Sequence, residues 1–246
     1  MQVSYRGLQP TPQGQQVFED WLGRLAARLQ AGEDRNRVAS DTLLELYGPA
    51  AAPVSPLLAA TLDPRNVTLE PEYYGDIDAA RYAERKPLIW LWMMFDRSPA
   101  GLNHWLGFQL RRLLAGHIFR HCGANVKIFH GVEFSFGYNL TVEDDCVIHK
   151  YVLLDDRGEI ILRRGTSISD YANVYSHSHA LLDPAEVTNH RTEIGPRARV
   201  TYHATVLSGQ RVEADAMVGA MAVVTHPVAA RHVVGGIPAR LLKVKP

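Results

Sequence analysis

The chain has 246 residues, 46% of them hydrophobic, which is enough to bury a sizeable core in one large domain or two modest ones. Its 26 lysine and arginine residues equal its 26 aspartate and glutamate residues, so it lacks both the basic field of nucleic-acid-binding proteins and an acidic excess that would attract a cationic partner. Two cysteines, Cys122 and Cys146, are too few for a disulfide framework and are not spaced as a CxxC motif. The composition predicts a globular protein of a reducing compartment that binds no nucleic acid.

The amino-terminal stretch "MQVSYRGLQPTPQ" has neither a charged start nor an apolar centre, so no secretory signal is expected. The most apolar run is "PLIWLWMMF" at 87–95, and it is far shorter than the roughly 20 residues that a membrane span needs. We predict a core helix for this run, no membrane span, and a cytoplasmic location for the protein.

Helical periodicity dominates the first half of the chain. A helix is predicted to start at Thr11-Pro12 and to end at Gly32, and further helical patterns cover 36–47 and 103–120. The predicted apolar stripe of the first helix consists of Val17, Trp21, Leu25 and Leu29. These patterns predict an α-helical amino-terminal region.

Further along, aliphatic residues recur at every sixth position. The longest register runs through Ile194, Val200, Val206, Val212, Val218 and Val224, and small residues follow most of these by four positions, at Ala198, Ala204, Ala216 and Ala222. The same step runs upstream through Phe136, Val142, Ile148, Leu154 and Ile160, slips by two residues within "DDRGE", and resumes at Leu162, Ile168 and Val174. A six-residue step fits neither a helix nor a simple alternating strand. It is typical of a strand solenoid in which each short face sends one aliphatic side chain into a narrow core.

The predicted organisation is therefore an α-helical region at 1–122 followed by a mainly β solenoid domain at 123–246. The six-residue step breaks twice, once at Arg157-Gly158 and once between Ser176 and Glu193. Breaks in a regular scaffold are where functional groups tend to lie.

The second break contains the motif "YSHSHALLDP" at 175–184, with two histidines one residue apart. Histidine is the side chain best suited to take a proton near neutral pH. His177 and His179 are therefore the first candidates for catalysis, whereas Ser176 and Ser178 are predicted to serve only as loop or hydrogen-bonding residues.

Four stretches of the segment 136–246 carry a family resemblance, in the order "FGYNLTVEDD", "LLDDRGEI", "VYSHSHALLDP" and "VVGGIPARLLK". They resemble the hexapeptide-repeat acetyltransferases, in particular the maltose and galactoside O-acetyltransferases and the polysaccharide O-acetyltransferases. The resemblance implies a left-handed parallel β-helix and the transfer of an acetyl group from acetyl-CoA to a hydroxyl of a sugar or other small acceptor. It also implies a homotrimer with the active site between neighbouring chains. It does not cover the amino-terminal region.

In this resemblance His179 falls on the catalytic histidine, which acts as general base on the acceptor, and His177 occupies a variable neighbouring position. Asp156 falls on the aspartate that contacts the sugar, with Asp155 as the alternative if the alignment shifts by one residue. His149 stands where the sugar acetyltransferases have an asparagine against the acceptor hydroxyl. The identity of the acceptor therefore stays open.

The resemblance also implies cofactor contacts along the final coils. The residues expected to line the pantetheine arm are Tyr202, Gly219, Ala220, Thr225 and His226. Arg240 and Lys243 fall where basic side chains meet the CoA phosphates, a role that suits a cationic pair. No metal is expected.

Two other functions remain open on the sequence alone. His149, His177 and His179 make a zinc enzyme possible, because zinc binds imidazole nitrogens and the γ-class carbonic anhydrases are also hexapeptide β-helices with three histidine ligands. The second alternative is a binding or scaffold protein that has the solenoid but no catalytic activity.

Overall fold

The computed structural model describes residues 7, 9–49, 53–183 and 186–246. Most of the amino-terminal stretch that was searched for a secretory signal therefore lies outside the described residues. A helical region precedes a parallel β-helix. The helices are α1 Pro12–Gln30, α2 Arg35–Tyr47, α3 Pro56–Leu62, α4 Ala79–Arg97 and α5 His104–Ile118, with short 3-10 segments at Pro64–Asn66, Glu70–Tyr73 and Pro99–Leu102. The predicted helices near residue 12, over 36–47, across 87–95 and over 103–120 are confirmed, whereas α3 was not expected.

The start of α1 follows the predicted signal, since Thr11 caps the helix by accepting a hydrogen bond from the Gly14 N–H and a proline occupies the first turn. Its apolar stripe was predicted wrongly at one end, because Val17 is 59% exposed while Leu25 and Leu29 are buried. A four-residue step advances about 40° beyond a full helical turn, so a stripe that keeps this step rotates away from the core over three repeats.

The β-helix contains nineteen short strands in the described residues. They are β1 His121–Cys122, β2 Lys127–Ile128, β3 Glu133–Phe134, β4 Leu140–Val142, β5 Val147–Ile148, β6 Leu153–Asp155, β7 Ile160–Leu162, β8 Ser167–Ile168, β9 Asn173–Tyr175, β10 His177–His179, β11 Val187–Asn189, β12 Thr192–Ile194, β13 Arg199–Val200, β14 Thr205–Val206, β15 Arg211–Val212, β16 Met217–Val218, β17 Val223–Val224, β18 His232–Gly235 and β19 Arg240–Val244.

Each coil of the β-helix contributes one strand to each of three sheets. Face A consists of β1, β4, β7, β12 and β15; face B of β2, β5, β8, β13, β16, β18 and β19; and face C of β3, β6, β9, β14 and β17. Strands within a face pair in parallel, except that β19 returns antiparallel to β18, and β10 pairs with β11 as a separate antiparallel hairpin. The fold class is the predicted one, a left-handed parallel β-helix of about six turns behind a helical region.

The six-residue step corresponds to one strand and one corner. Ile148, Ile168 and Val200 stack on one another in face B and are fully buried, as are the predicted small residues Ala198 and Ala204. Two members of the register differ from the prediction. Ile160 lies opposite Leu140, and the residue in register with Val142 is Leu162. Phe136 is buried in a corner, and the residue that occupies the strand position in that coil is Phe134.

The two regions share one hydrophobic core, and a buried ion pair between two helices holds the first coil of the β-helix. The ring of Trp92 on α4 meets the ring of Phe134 on β3 edge-on, with centroids 5.3 Å apart. Arg111 on α5 is fully buried, and its Nε and Nη2 donate to Asp96 Oδ1 at 2.8 and 2.6 Å. The other oxygen of Asp96 accepts the N–H of Gly131 at 2.8 Å, so this pair fixes the first coil onto the helices.

In the described residues, every helix is too short or too polar to cross a membrane.

Candidate active site

Every interruption of the six-residue step lies at the corner that joins face C to face A, which we call the widened corner. It is formed by residues 135–139, 156–159 and 176–191 in the first three coils. The slip predicted at Arg157-Gly158 and the excursion that holds both histidines therefore stack directly on each other. The sequence had placed these breaks about twenty residues apart, and the solenoid brings them together.

Asp156 supports the widened corner from inside. Its side chain is fully buried, Oδ1 accepts the N–H of Phe136 at 2.7 Å, and Oδ2 accepts the N–H of Asn139 at 3.2 Å. Burial raises the pKa of Asp156 to about 7, against the lowering effect of these backbone hydrogen bonds. The carboxylate faces the preceding corner and not the solvent, and the contact of Asp156 with an acceptor stays a prediction.

The histidine motif forms a β-hairpin and not an irregular loop. β10 and β11 pair antiparallel, with His177 opposite Asn189 and His179 opposite Val187. The base of the hairpin is closed by the His190 N–H, which donates to Ser176 O at 2.7 Å. The hairpin is thus a continuation of the solenoid wall with a defined strand register.

Ser176 attaches this hairpin to the coil before it. The serine is fully buried, its Oγ donates to Asp155 O at 2.5 Å, and the same Oγ accepts the Gly158 N–H at 2.9 Å. A Cβ on Gly158 would lie 2.6 Å from Ser176 O and 2.8 Å from His190 O, so only glycine fits under the hairpin base. Ser176 has the hydrogen-bonding role expected of it.

His177 points at Asp155, which was the alternative acceptor residue in the sequence. The distance from His177 Nδ1 to Asp155 Oδ2 is 2.6 Å, and Ser135 Oγ donates to the other carboxylate oxygen at 3.0 Å. The ring N–H is not directed along the short contact, so this is an electrostatic pairing and not a well-aligned hydrogen bond. Burial lowers the pKa of His177 more than Asp155 raises it, and Arg157 and then His179 lower it further.

His179 lies on the same face of β10 as His177, as alternate strand residues do. The two rings meet edge-to-face with centroids 5.2 Å apart. His179 is exposed, whereas the side chain of His177 is only 16% exposed. The three side chains therefore form a short series from buried Asp155 through His177 to His179 at the surface.

The amino-terminal region reaches this site through Asp76, in the turn before α4. Asp76 accepts hydrogen bonds from Arg157 at 2.9 and 3.2 Å and from Asn189 Nδ2 at 3.0 Å, and the Arg157 guanidinium stacks over Tyr74. Sequence reasoning missed Asp76 and Asn189, because Asp76 precedes Arg157 by 81 residues and no local pattern links them. Only the break at Arg157-Gly158 gave a signal.

His149 lies elsewhere. It follows β5 at the corner between faces B and C, where its ring stacks on Phe129 with centroids 4.7 Å apart, and burial lowers its pKa. Asp155 lies at the far end of the next strand, β6, so one chain does not bring His149 beside His177 and His179. Over the described ranges no group of three or more His, Cys, Asp or Glu side chains is placed to hold a metal ion, and the zinc alternative lacks its ligand set within one chain.

The residues expected to contact CoA fall on three parts of the β-helix. Thr225 and His226 follow β17 at the widened corner, two coils beyond the hairpin, and the Thr225 hydroxyl lies 2.9 Å from His226 Nδ1. The other expected contacts are Tyr202, Gly219 and Ala220 at the opposite end of face C, and Arg240 and Lys243 on β19. One chain therefore does not gather all these residues into one groove.

No family model matches this chain. Solved structures that it resembles include a maltose O-acetyltransferase from Clostridium difficile 630, with 18% identity and a TM-score of 0.61 over 70% of this chain and 91% of that one. A hexapeptide-repeat acetyltransferase from Vibrio cholerae in complex with acetyl coenzyme A gives 21% identity and a TM-score of 0.59 over 67% of this chain and 87% of that one. A galactoside acetyltransferase in complex with coenzyme A gives 17% identity and a TM-score of 0.56 over 67% of this chain and 80% of that one. The chain therefore has the fold of the hexapeptide-repeat acetyltransferases.

Proposed function

We propose that this chain is an acetyl-CoA-dependent acyltransferase that moves an acetyl group to a hydroxyl of a sugar or other small acceptor, with His179 as general base. The observation that carries the proposal is the series Asp155–His177–His179 on a hairpin that interrupts the solenoid. The shared fold supports it, since proteins of this fold include one in complex with acetyl coenzyme A and one in complex with coenzyme A.

The reaction needs one proton carrier and no covalent enzyme intermediate. A ring nitrogen of His179 takes the proton of the acceptor hydroxyl while the oxygen attacks the thioester carbonyl. The carbon–sulfur bond then breaks, and the departing thiolate of CoA receives the proton from the imidazolium. A backbone N–H of the adjacent coil would hold the oxyanion, as acyl transfer requires. General-base help of this kind contributes roughly 10²–10⁴ in rate.

Within this scheme His177 is the neighbour that orients His179, and Asp155 fixes His177. Asp155 also replaces Asp156 as the carboxylate expected on the acceptor side, because it is Asp155 that pairs with the hairpin. His149 is proposed to contact the acceptor from a neighbouring chain.

We infer a homotrimer with the site between neighbours. The expected contacts divide between the two ends of face C, with His179, Thr225 and His226 at the widened corner and His149 and Tyr202 at the other end. A cleft between adjacent chains would combine one set from each.

This arrangement predicts that His179→Ala and His149→Ala chains, each inactive alone, regain turnover when they are co-expressed as mixed trimers. Light scattering is expected to report three chains. A fully active monomer would contradict the arrangement.

We further infer a cytoplasmic location, which the two unpaired cysteines support.

The most informative experiment on the function is an acceptor screen with acetyl-CoA and detection of the released thiol. The proposal expects acceptor-dependent thiol release with sugars or related polyols among the substrates. Stoichiometric zinc in the purified protein together with carbonic anhydrase activity would support the metal enzyme instead. Failure to bind CoA at all would support a scaffold protein.

A further inference from the structure

The side chain of Arg157 is a buried cation beside the proposed active site. It is 6% exposed, and its nearest carboxylate is Asp76 of the amino-terminal region, with Nη2 2.9 Å from Oδ1. A buried guanidinium is costly unless a carboxylate partners it. Tyr74 adds a cation–π contact, since the Arg157 carbon lies 4.2 Å from the centre of its ring. The amino-terminal region therefore supplies both groups that stabilise this charge.

Arg157 also lies two residues after Asp155, whose carboxylate pairs with His177. A guanidinium binds a carboxylate more strongly than an uncharged imidazole does, because it is always charged and donates in a fork. Of the two aspartates that directly precede Arg157, Asp156 is fully buried and accepts backbone N–H groups of the preceding corner. If Arg157 lost Asp76, Asp155 would therefore be the carboxylate left to approach it. Asp76 and Asp155 are thus alternative partners for the same cation.

Asp76 has a second contact on the hairpin itself. Its Oδ2 accepts from Asn189 Nδ2 at 3.0 Å, and Asn189 lies opposite His177 in the β10–β11 pairing. One carboxylate therefore joins the corner that holds Arg157 to the strand that faces the histidines.

We propose that Asp76 is a positioning residue, which keeps Arg157 away from Asp155 so that Asp155 stays paired with His177 and the hairpin stays in register. For its role in catalysis this inference rests on the proposed acyl transfer. It gives the amino-terminal region a function that the family resemblance does not cover.

The test compares Asp76→Asn with wild type by NMR titration of the His177 ring, assigned with His177→Gln. The charged groups that face His177 are Asp155, Arg157 and His179. In Asp76→Asn the charge of Arg157 is no longer neutralised and Asp155 turns toward it, so both changes disfavour the protonated ring and the pKa of His177 falls. We expect kcat to fall roughly 10- to 100-fold, with KM for acetyl-CoA within about twofold of wild type.

Two further variants separate charge from folding. The double variant Asp76→Asn/Arg157→Met contains no unpaired buried cation, so we expect the pKa of His177 to return toward the wild-type value. This variant also tests the proposal if Asp76→Asn alone does not fold. Asn189→Ala keeps the Asp76–Arg157 pair, so we expect the pKa of His177 to stay at the wild-type value. We expect kcat to fall less than it does in Asp76→Asn. A shift in Asn189→Ala as large as that in Asp76→Asn contradicts the charge argument.

The control for loss of an aspartate that pairs with an arginine is Asp215→Asn, which breaks an exposed pair with Arg197, 2.6 Å long, at another corner of the β-helix. It is expected to leave kcat and the His177 titration unchanged. The proposal is overturned if Asp76→Asn matches this control in both measurements. Absence of thiol release with every acceptor in wild type would count against the proposed function instead, and the titration would still decide the role of Asp76.

Discussion

The helical region and the β-helix use their residues in opposite ways. The helices pack large, irregular side chains such as Trp92 and Phe95 around one buried ion pair, and no position repeats another. The β-helix stacks small aliphatic side chains in ladders, and successive coils repeat one another except at the widened corner. The repeat thus builds a regular wall, whereas the proposed active site lies where the repeat breaks and where Asp76 of the helical region contacts Arg157.

The largest stability effect is expected at the buried ion pair between α4 and α5, which contacts the first coil of the β-helix. Asp96→Asn leaves the fully buried Arg111 without a counter-charge and should lower the free energy of unfolding by about 3–5 kcal/mol in urea denaturation. Replacing both partners, with Arg111→Met and Asp96→Leu, should cost less because no unpaired charge remains. A double variant much less stable than Asp96→Asn would show that the pair itself stabilises the joint.

The free energy of unfolding should depend on the volume of the side chains stacked inside the β-helix, and should not depend on the volume of exposed side chains on α1. Ile168→Ala removes a fully buried ladder residue and should cost about 2–5 kcal/mol, with Ile168→Val costing about 0.5–1.5 kcal/mol. Val17→Ala is the control from the predicted helix stripe, and because Val17 is exposed it should change stability by less than about 0.5 kcal/mol. Equal losses in Ile168→Ala and Val17→Ala would refute the burial pattern.

Gly158 tests whether the hairpin depends on its fit to the wall. Gly158→Ala should displace the hairpin base, because the added Cβ meets the carbonyls of Ser176 and His190 at 2.6 and 2.8 Å. We expect turnover to fall by about tenfold or more while the melting temperature changes little, since the ladder below is untouched. Gly23→Ala, on an open surface of α1, is the control and should preserve turnover. Full activity in Gly158→Ala would show that turnover does not depend on close packing of the β10–β11 hairpin against the coil below it.

A smaller effect is expected on the pH dependence of stability. Burial lowers the pKa of His117, His130, His149 and His177. A histidine whose pKa is lower in the folded state takes up more protons on unfolding, so stability decreases as the pH falls from about 6.5 towards the folded-state pKa values. His149→Phe should reduce this slope in urea midpoints measured from pH 7 to 5, and an unchanged slope would contradict the lowered pKa of His149.

The β-helix could be predicted from the sequence because its six-residue period is visible directly in the spacing of aliphatic residues along the chain. It could not predict that the two breaks stack, since that depends on how many residues each corner contains. Phe136 shows the limit, because the two extra residues of the first widened corner shift the register there. The different partners of Asp155 and Asp156 also needed coordinates, since both are buried but one pairs with His177 and the other accepts backbone N–H groups. Asp76 and Asn189 left no local signal, because their contacts join segments far apart in sequence.

The central claim is that His179 is the base for acetyl transfer, and the most direct measurement compares kcat/KM for thiol release from acetyl-CoA in His179→Ala and His177→Ala. If His179 is the base, His179→Ala loses at least about 100-fold. His177→Ala loses less, and Ser178→Ala, which alters the exposed residue between them on the opposite face of β10, shows no change. Near wild-type turnover in His179→Ala together with loss of activity in His177→Ala would contradict the account and assign the base to the histidine beside Asp155.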